Sequence, residues 1–221
     1  MTRQSIKLLK GVYKMPFWEN EYSNNKTFVF GKPSKEVVDS VPYLKKGARI
    51  LDVGCGDGRH AIYLAKLGFK VDAFDLSQNA INKLNSLKGE LTISTWVCDI
   101  EDFPFKTSYD CIIIHGVLQF VSKQRQKRII ELLKKWTNSN GFHIIAVFTN
   151  EVSIPDDLKS IMIGVFSKKE IKEYYQDWTI VDFKEVIFQD EHENSLKHTH
   201  AMNKMIARKN GCCKKTSERS N

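Results

Sequence analysis

Ile50-Leu-Asp-Val-Gly-Cys-Gly-Asp-Gly58 is the stretch that decides the fold of this chain. Its first four residues continue from Arg49 as a mostly apolar run and predict a short buried strand. Glycines follow directly, and the residues after them have the spacing of a helix with one apolar face. Glycine lets the backbone pass close to a ligand. A strand, a glycine-rich turn and a helix in this order predict a ligand-binding corner of a parallel sheet.

Three kinds of ligand site share this layout, and the neighbouring residues distinguish them. A phosphate-binding P-loop ends in Gly-Lys-Ser/Thr, whereas Arg59-His60 follow Gly58 here. A dinucleotide fingerprint needs a glycine where Arg59 stands. The methyltransferase pattern Asp-x-Gly-x-Gly-x-Gly is complete from Asp52 to Gly58. A carboxylate at Asp52 would repel a pyrophosphate and attract the ammonium and sulfonium groups of S-adenosylmethionine, which is therefore the predicted cofactor.

Strand and helix patterns alternate around this corner, from about residue 34 to residue 150. Such alternation is typical of a parallel sheet with crossover helices. Helices are predicted over Ser34–Ser40, after a cap at Ser77, and over Lys123–Trp136. Asn140-Gly141 is predicted to be a turn between the last of these helices and the last parallel strand. The predicted strands of this part are Arg49–Val53, Lys70–Phe74, Leu91–Val97, Tyr109–Ile114 and Phe142–Phe148.

The pattern changes after residue 148. Thr149–Val165 has no clear periodicity and is predicted to be a functional loop. Ser167-Lys-Lys-Glu170 is a capping box that predicts a short helix through Tyr175. Thr179–Phe188 and Thr199–Arg208 are strands without a helix between them, and they predict a hairpin around a polar turn. The predicted fold class is therefore α/β, a Rossmann-like doubly wound sheet, mostly parallel with an antiparallel C-terminal hairpin, as in class I methyltransferases.

One methyltransferase domain is predicted over residues 33–209. Residues 1–32 are expected to be an N-terminal segment, partly a cofactor lid. Trp18, Tyr22 and Phe30 in this segment are interpreted either as aromatic side chains of the lid or as simple packing. Residues 210–221 are basic and polar and are predicted to be a disordered tail.

Two further acidic residues follow predicted strands. Asp75 ends the second strand, where such sheets place the acid that accepts hydrogen bonds from the ribose hydroxyls. Asp99 follows the third strand and is interpreted either as an acceptor for the adenine amine, with Ile100 packing on the ring, or as a turn residue. Because the carboxyl ends of parallel strands share one edge, Asp52, Asp75 and Asp99 are expected to line one ligand.

The chain resembles the tellurite-resistance methyltransferase family from about Phe17 to Lys209. The segments that carry the resemblance are Phe30–Ser34, Leu51–Arg59, Tyr63–Gly68, Val71–Asp75, Phe166–Trp178 and Met205–Lys209. The resemblance implies an enzyme that acts on a small molecule, and tellurium or selenium oxyanions are one substrate class of the family. It also implies that Phe30, Gly31 and Lys32 close over the cofactor and that Arg59 lines the same pocket.

The predicted cofactor contacts combine the glycine motif, the strand-end acids and the resemblance. His115 joins them because it ends the fourth strand, at the edge where ligands bind in such sheets. No residue is assigned as a metal ligand. The full set is Phe30, Gly31, Asp52, Gly54, Cys55, Gly56, Gly58, Arg59, Asp75, Leu76, Asp99, Ile100 and His115.

The histidines of the C-terminal hairpin depart from that family. The family's single histidine in this region falls near Gln189, whereas this chain has His192, His198 and His200. On a strand, His198 and His200 point to the same face. With His192 they are interpreted either as a metal or oxyanion site or as a solvated or hydrogen-bonded strand face.

Methyl transfer from a sulfonium depends mainly on orientation, which is worth roughly 7–11 kcal/mol for two bound reactants. A general base adds about 10²–10⁴-fold where the nucleophile carries a proton. His115, His198 and His200 are the predicted catalytic residues, because they are the bases expected near the acceptor. His60 is predicted to lie in the first turn of a helix near the cofactor, and His143 to be structural.

Charge and composition limit the partners of the chain. The net charge is +8, but residues 1–14 and 203–221 carry +9 of it and the rest carries −1. Basic ends on a nearly neutral body argue against a broad nucleic-acid-binding face. No apolar run is long enough for a membrane span. The cysteines form no disulfide or zinc pattern, which favours a reducing compartment such as the cytoplasm.

The predicted function is S-adenosylmethionine-dependent methylation of a small-molecule acceptor, for example a metalloid oxyanion or a thiol. Two alternatives stay open. One is an RNA or protein methyltransferase that uses the basic tails, and the other is a non-catalytic S-adenosylmethionine-binding module. Neither the identity of the acceptor nor the oligomeric state can be read from the residues.

Overall fold

The computed structural model describes residues 16–23, 28–156, 158–190 and 198–211. Strands of the described residues form one seven-stranded sheet: β1 Arg49–Val53, β2 Lys70–Asp75, β3 Ile93–Val97, β4 Tyr109–His115, β5 Thr137–Thr149, β6 Trp178–Asp190 and β7 His198–Lys209. Their order in the sheet is β3-β2-β1-β4-β5-β7-β6. The strands from β3 to β5 are parallel, and β7 pairs antiparallel with both β5 and β6.

Helices cover both faces of this sheet. Those of the described residues are α1 Pro16–Tyr22, α2 Lys35–Ser40, α3 Arg59–Lys66, α4 Gln78–Leu87, α5 Lys123–Lys135 and α6 Glu170–Glu173. Cys111 and Ile113 face a cluster that includes α2, α3 and α4, and Ile112 and Ile114 face a cluster that includes α5 and α6. The central strand β4 is apolar on both sides because it is buried from both sides.

The predicted fold class is confirmed, including the antiparallel hairpin of β6 and β7. Ser77 caps α4 as predicted, since its hydroxyl accepts from the backbone N–H of Ala80. The carboxyl ends of β1, β2 and β4 meet at one edge, and the chain leaves β1 toward β2 on one side while β4 lies on the other. Ligands of doubly wound sheets bind at such a point.

Several element boundaries differ from those predicted. Strand β5 begins at Thr137, because Thr137 pairs with Tyr109 before the register shifts around Asn140, which has a positive φ of 61°. Helix α6 ends at Glu173, before the predicted Tyr175. The Glu170 carboxylate does accept from the Ser167 backbone N–H, as a capping box requires, but Lys169 takes the left-handed conformation at the N-cap.

Some predictions fall on residues outside the described ranges. These are the disorder of the tail from residue 212 onward, the position of His192, and the tip of the hairpin between β6 and β7.

Candidate functional site

The glycine-rich turn between β1 and α3 is held in left-handed backbone conformations. Gly54, Gly56 and Gly58 have φ values of 60°, 54° and 85°. A Cβ added to Gly54 would lie 2.5 Å from a methyl carbon of Val117, and one added to Gly56 would lie 2.5 Å from the hydroxyl of Tyr22. The glycines are therefore required by backbone conformation and by packing against other parts of the chain, in addition to any approach of a ligand.

Asp52 supplies a buried carboxylate directly beside this turn. The backbone N–H of Ala61 donates to it, while its Oδ2 has no hydrogen-bond partner among the described residues. Burial, and to a lesser extent the charge of Asp75, raises the pKa of Asp52 to about 7 against the opposing effect of Arg59. A buried acceptor without a partner is costly. The ammonium group of S-adenosylmethionine carries a positive charge and N–H donors. It could therefore donate a hydrogen bond to this oxygen and compensate the charge of the carboxylate.

Asp75 ends β2 and connects it to the glycine-rich turn. Its carboxylate accepts from the backbone N–H groups of Gly56 at 2.8 Å and Ser77 at 2.9 Å. Burial raises the pKa of Asp75 in spite of these hydrogen bonds. The predicted ribose acid thus lies at the expected strand end, and it also fixes the conformation of the turn.

Helix α1, which precedes the sheet in the chain, lies against the glycine-rich turn through Tyr22. The Glu19 carboxylate accepts from the backbone N–H groups of Gln78 and Asn79 at the start of α4, which ties the two helices together. Tyr22, at the end of α1, lies against Gly56 and meets the ring of Phe30 edge to face at 6.5 Å. The side chain of Trp18 lies outside what the structure describes.

The segment from Val29 to Lys32 is held by two residues of the glycine motif. Asp57 accepts from the backbone N–H of Val29 at 2.7 Å. Arg59 donates to the backbone oxygens of Phe30 at 2.7 Å and Lys32 at 3.3 Å. This segment therefore covers the glycine-rich turn, next to Tyr22.

A buried charge cluster lies next to Arg59, at the end of β4. His115 Nε2 is 2.7 Å from Glu36 Oε1, and the Lys204 ammonium is 3.2 Å from Glu36 Oε2. The Arg59 guanidinium is 3.5 Å from His115 Nδ1, and the ring of His60 packs on that of His115 at 5.0 Å. The cluster is assembled from α2, α3, β4 and β7.

The pKa values of His115 and of Glu36 are both lowered within this cluster, for different reasons. Burial lowers the pKa of His115, the charges of Arg59 and Lys204 lower it further, and Glu36 only partly offsets them. Burial raises the pKa of Glu36, but the hydrogen bond and charge of His115, followed by Lys204, outweigh it and set the value at about 2. At neutral pH the cluster holds an ionised Glu36 and a neutral His115.

The predicted adenine contacts Asp99 and Ile100, and the predicted cofactor contact Leu76, have different surroundings. Asp99 makes an ion pair with Arg125 at 2.9 Å and accepts from the backbone N–H of Glu101, as a turn residue does. Ile100 is buried in the hydrophobic cluster that includes α5. Leu76, at the end of β2, leaves half of its surface exposed. Leu76 therefore offers apolar surface for an adenine ring, whereas Ile100 packs in the core and Asp99 already has partners.

Of the three histidines predicted to act in the C-terminal hairpin, His200 is the one whose side chain the structure describes. His200 lies between the rings of Phe148 and Phe188, at centroid distances of 5.1 and 5.6 Å, and is 5% exposed, so it is not solvated. His198 begins β7, its side chain is not described, and His192 lies outside the described ranges. Within the described residues, no group of three or more His, Cys, Asp or Glu side chains is arranged to hold a metal ion.

The remaining histidines lie where they were predicted. His60 is in the first turn of α3, with Nε2 3.2 Å from the Ser34 hydroxyl. His143 is structural, since it is buried between the Thr137 hydroxyl and the Tyr175 hydroxyl, and burial lowers its pKa to about 3.

None of the helices in the described part of the chain has the length and apolar composition of a membrane span.

Comparison with known proteins identifies a family for this chain. The family described as tellurite resistance protein TehB matches residues 15–204 of the chain. The probable S-adenosyl-L-methionine-dependent methyltransferase TehB of Haemophilus influenzae is 32% identical over 202 residues. That alignment covers 89% of this chain and 67% of the relative.

Solved structures agree with this match. The crystal structure of TehB from Haemophilus influenzae has a TM-score of 0.71 at 29% identity, covering 87% of this chain and 66% of that one. The chain therefore spans about two thirds of the length of that relative. The N-methyltransferase NodS of Bradyrhizobium japonicum, solved with S-adenosyl-L-homocysteine, has a TM-score of 0.66 at 17% identity, covers 88% of this chain and 97% of its own, and shares the fold.

Proposed function

Because the chain belongs to the TehB family of S-adenosylmethionine-dependent methyltransferases, we propose that it transfers a methyl group to a small nucleophile bound beside His115. The observation that carries this proposal is the pairing of two features at one sheet edge. At the glycine-rich turn, Asp52 keeps a buried carboxylate oxygen that has no hydrogen-bond partner in the described part of the chain. His115, two residues from the Val117 that packs on this turn, has a side chain that is only 12% exposed.

The residues at this edge suit the cofactor. When bound, S-adenosylmethionine supplies an electrophilic methyl group on a sulfonium. Asp52 would hold its ammonium group, Asp75 its ribose, and Leu76 one face of its adenine. The covering formed by Tyr22 and the Phe30–Lys32 segment acts as a lid that excludes water from the reacting groups.

The acceptor is a small molecule because the cluster around His115 is deeply enclosed. Arg59 and Lys204 bring two positive charges to this cluster against the single negative charge of Glu36. This balance favours an anionic or polar nucleophile, and a metalloid oxyanion or a thiol meets that requirement. His198 and His200 lie at the start of β7, next to the carboxyl end of β5, and stay the other predicted catalytic residues. The unpaired buried thiols Cys55 and Cys111 suit a cytoplasmic location.

Methyl transfer from labelled S-adenosylmethionine tests this function on a panel of selenite, tellurite, thiols, halides and small amines. We expect turnover on at least one of these acceptors, and none with Asp52→Ala as the matched blank. Cofactor binding without turnover on the whole panel would support a non-catalytic module. Labelling confined to added RNA or protein would support a macromolecular substrate. Either result would overturn the proposal.

A further inference from the structure

We propose that Glu19 is a positioning residue that holds helix α1 against α4 over the cofactor, so that the cofactor is released only when this contact opens. The inference rests on the proposed function and deepens it, because it concerns how S-adenosylmethionine is retained. Glu19 was not among the predicted site residues. It lies on α1, 59 residues before Gln78 at the start of α4.

The Glu19 carboxylate provides hydrogen-bond acceptors for the N-terminus of α4. Its Oε1 accepts from the backbone N–H of Gln78 at 2.9 Å, and its Oε2 accepts from that of Asn79 at 3.2 Å. The Asn79 side chain donates back to the Glu19 backbone oxygen at 2.9 Å. The first N–H groups of a helix have no partner inside the helix, and this end of a helix favours a negative charge. Glu19 therefore satisfies two of these donors from a distant part of the chain.

The same helix end carries the acid that is proposed to hold the ribose. Asp75 lies three residues before Gln78, and its carboxylate accepts from the backbone N–H groups of Ser77 and Gly56. Burial raises the pKa of Asp75, and the nearby charge of Glu19 adds to this effect against the hydrogen bonds. The residue for the ribose and the residue that holds α1 are thus neighbours at one helix end.

Helix α1 extends from this helix end to the glycine-rich turn. Three residues after Glu19, Tyr22 packs on Gly56 and is 8% exposed. A cofactor with its ribose at Asp75 and its ammonium group at Asp52 would therefore lie between the sheet edge and α1. Its release requires α1 to move away, and the contacts of both Glu19 and Tyr22 must then open.

The Glu19 contact is placed where water can replace it. Gln78 is exposed, and Glu19 and Asn79 are half-buried. An exposed hydrogen bond can be exchanged for one with water at a small net cost in free energy. The other part of the covering, by contrast, is held at Val29 by Asp57, which is 1% exposed. The opening is therefore assigned to α1.

Release of labelled S-adenosylhomocysteine, measured by rapid mixing with an excess of unlabelled ligand, tests the inference without any methyl acceptor. Glu19→Ala should speed release by at least about tenfold, because it removes two hydrogen bonds to a charged group. Glu19→Gln should have a smaller effect, since its amide keeps one acceptor oxygen. Glu21→Ala is the matched control, because Glu21 lies on the same helix and has no hydrogen bond or ion pair within the described residues.

Gln78→Pro weakens the same contact from the side of α4. Proline is favoured at the first position of a helix, and Ser77 before it already has the extended conformation that proline requires, with φ −78° and ψ 119°. Release should be faster than in the wild type. Adding Glu19→Ala to this variant should have less effect than Glu19→Ala has alone, because the two changes remove a shared contact.

Thermal unfolding of each variant separates this role from a purely structural one. A lower melting temperature in Glu19→Ala with an unchanged release rate would mean that Glu19 only stabilises α4. Equal acceleration in Glu21→Ala would mean that the specific contacts of Glu19 do not matter. Either result would overturn the inference alone, whereas a wild type that binds no S-adenosylhomocysteine would overturn the proposed function as well.

Discussion

Single residues at this site owe their properties to burial more than to their position in the sequence. Asp52 and Asp75 lie at the carboxyl ends of β1 and β2, and their place at one sheet edge was predicted from that position alone. Glu36 and Lys204 could not be predicted in the same way. Their partners are 79 and 168 residues apart in sequence, so no local pattern links them. Folding brings Glu36 and Lys204 together with His115 in one buried, hydrogen-bonded cluster.

Asp52→Asn is expected to stabilise the protein and to weaken cofactor binding strongly. Burial raises the pKa of Asp52 from 3.8 to about 7. The native state therefore holds this proton more tightly than the unfolded state, and stability falls as the pH rises from about 4 to about 7. Asparagine has no charge to bury, so the variant should gain up to about 4 kcal/mol at pH 8 and nothing below pH 4.

Urea unfolding at pH 4 and pH 8 checks the stability of Asp52→Asn, and calorimetry with S-adenosylmethionine checks its binding. In the wild type, affinity should fall as the pH drops below about 7, because the neutral carboxyl no longer attracts the ammonium group. A wild type that is more stable than the variant at pH 8 would contradict the buried charge. Equal affinity in the two proteins would contradict the role of Asp52 in binding.

At the scale of elements, the covering over the glycine-rich turn is held in place partly by α4 and partly by residues next to the turn itself. Glu19 ties α1 to α4, and Asp57 and Arg59 tie down the backbone from Val29 to Lys32. Tyr22 then packs on Gly56. The cofactor lid expected for residues 1–32 stays a prediction, and its geometry can be tested through this one contact.

Gly56→Ala is expected to displace Tyr22 and to weaken S-adenosylmethionine binding by at least about tenfold. The matched control is Gly47→Ala. Both glycines have positive φ, 54° and 71°, but a Cβ on Gly47 meets nothing within 4 Å. Both variants should therefore lose about 1 kcal/mol of stability from backbone strain. Only Gly56→Ala should lose affinity by calorimetry, and equal losses in both would show that Tyr22 does not matter.

The C-terminal hairpin yields a separate prediction. Replacing His198 and His200 by asparagine together should lower turnover and leave cofactor affinity within about threefold, because the hairpin is distant from the contacts of Asp52 and Asp75. Steady-state kinetics and calorimetry measure the two effects. Unchanged turnover would leave the choice of acceptor to the Thr149–Val165 loop.

Most elements could be predicted because their apolar periodicity is strong. The parallel strands and the hairpin lie close to their predicted positions. Three features could not be predicted. Helix α1 has no pattern of its own and depends on its contact with α4. The early start of β5 depends on the pairing of Thr137 with Tyr109. The early end of α6 at Glu173 has no signal in the capping box that predicted the helix.

At the scale of the whole molecule, part of the basic charge near the C-terminal end belongs to the fold. Lys204 is bound to the buried Glu36, and Lys209 donates to the backbone oxygens of Lys134 and Thr137. These two side chains are therefore not available to track a phosphate backbone. The distribution of charge agrees with a small acceptor enclosed at the sheet edge.

A crystal structure of the protein with S-adenosylhomocysteine tests the proposed site most directly. The expected result places the ligand on the glycine-rich turn, under Tyr22, with its ammonium group within about 3.2 Å of Asp52 Oδ2 and its ribose hydroxyls at Asp75. The adenine ring should then cover the exposed side chain of Leu76. A ligand bound elsewhere, or an ammonium group that leaves Asp52 Oδ2 without a partner, would contradict the assignment.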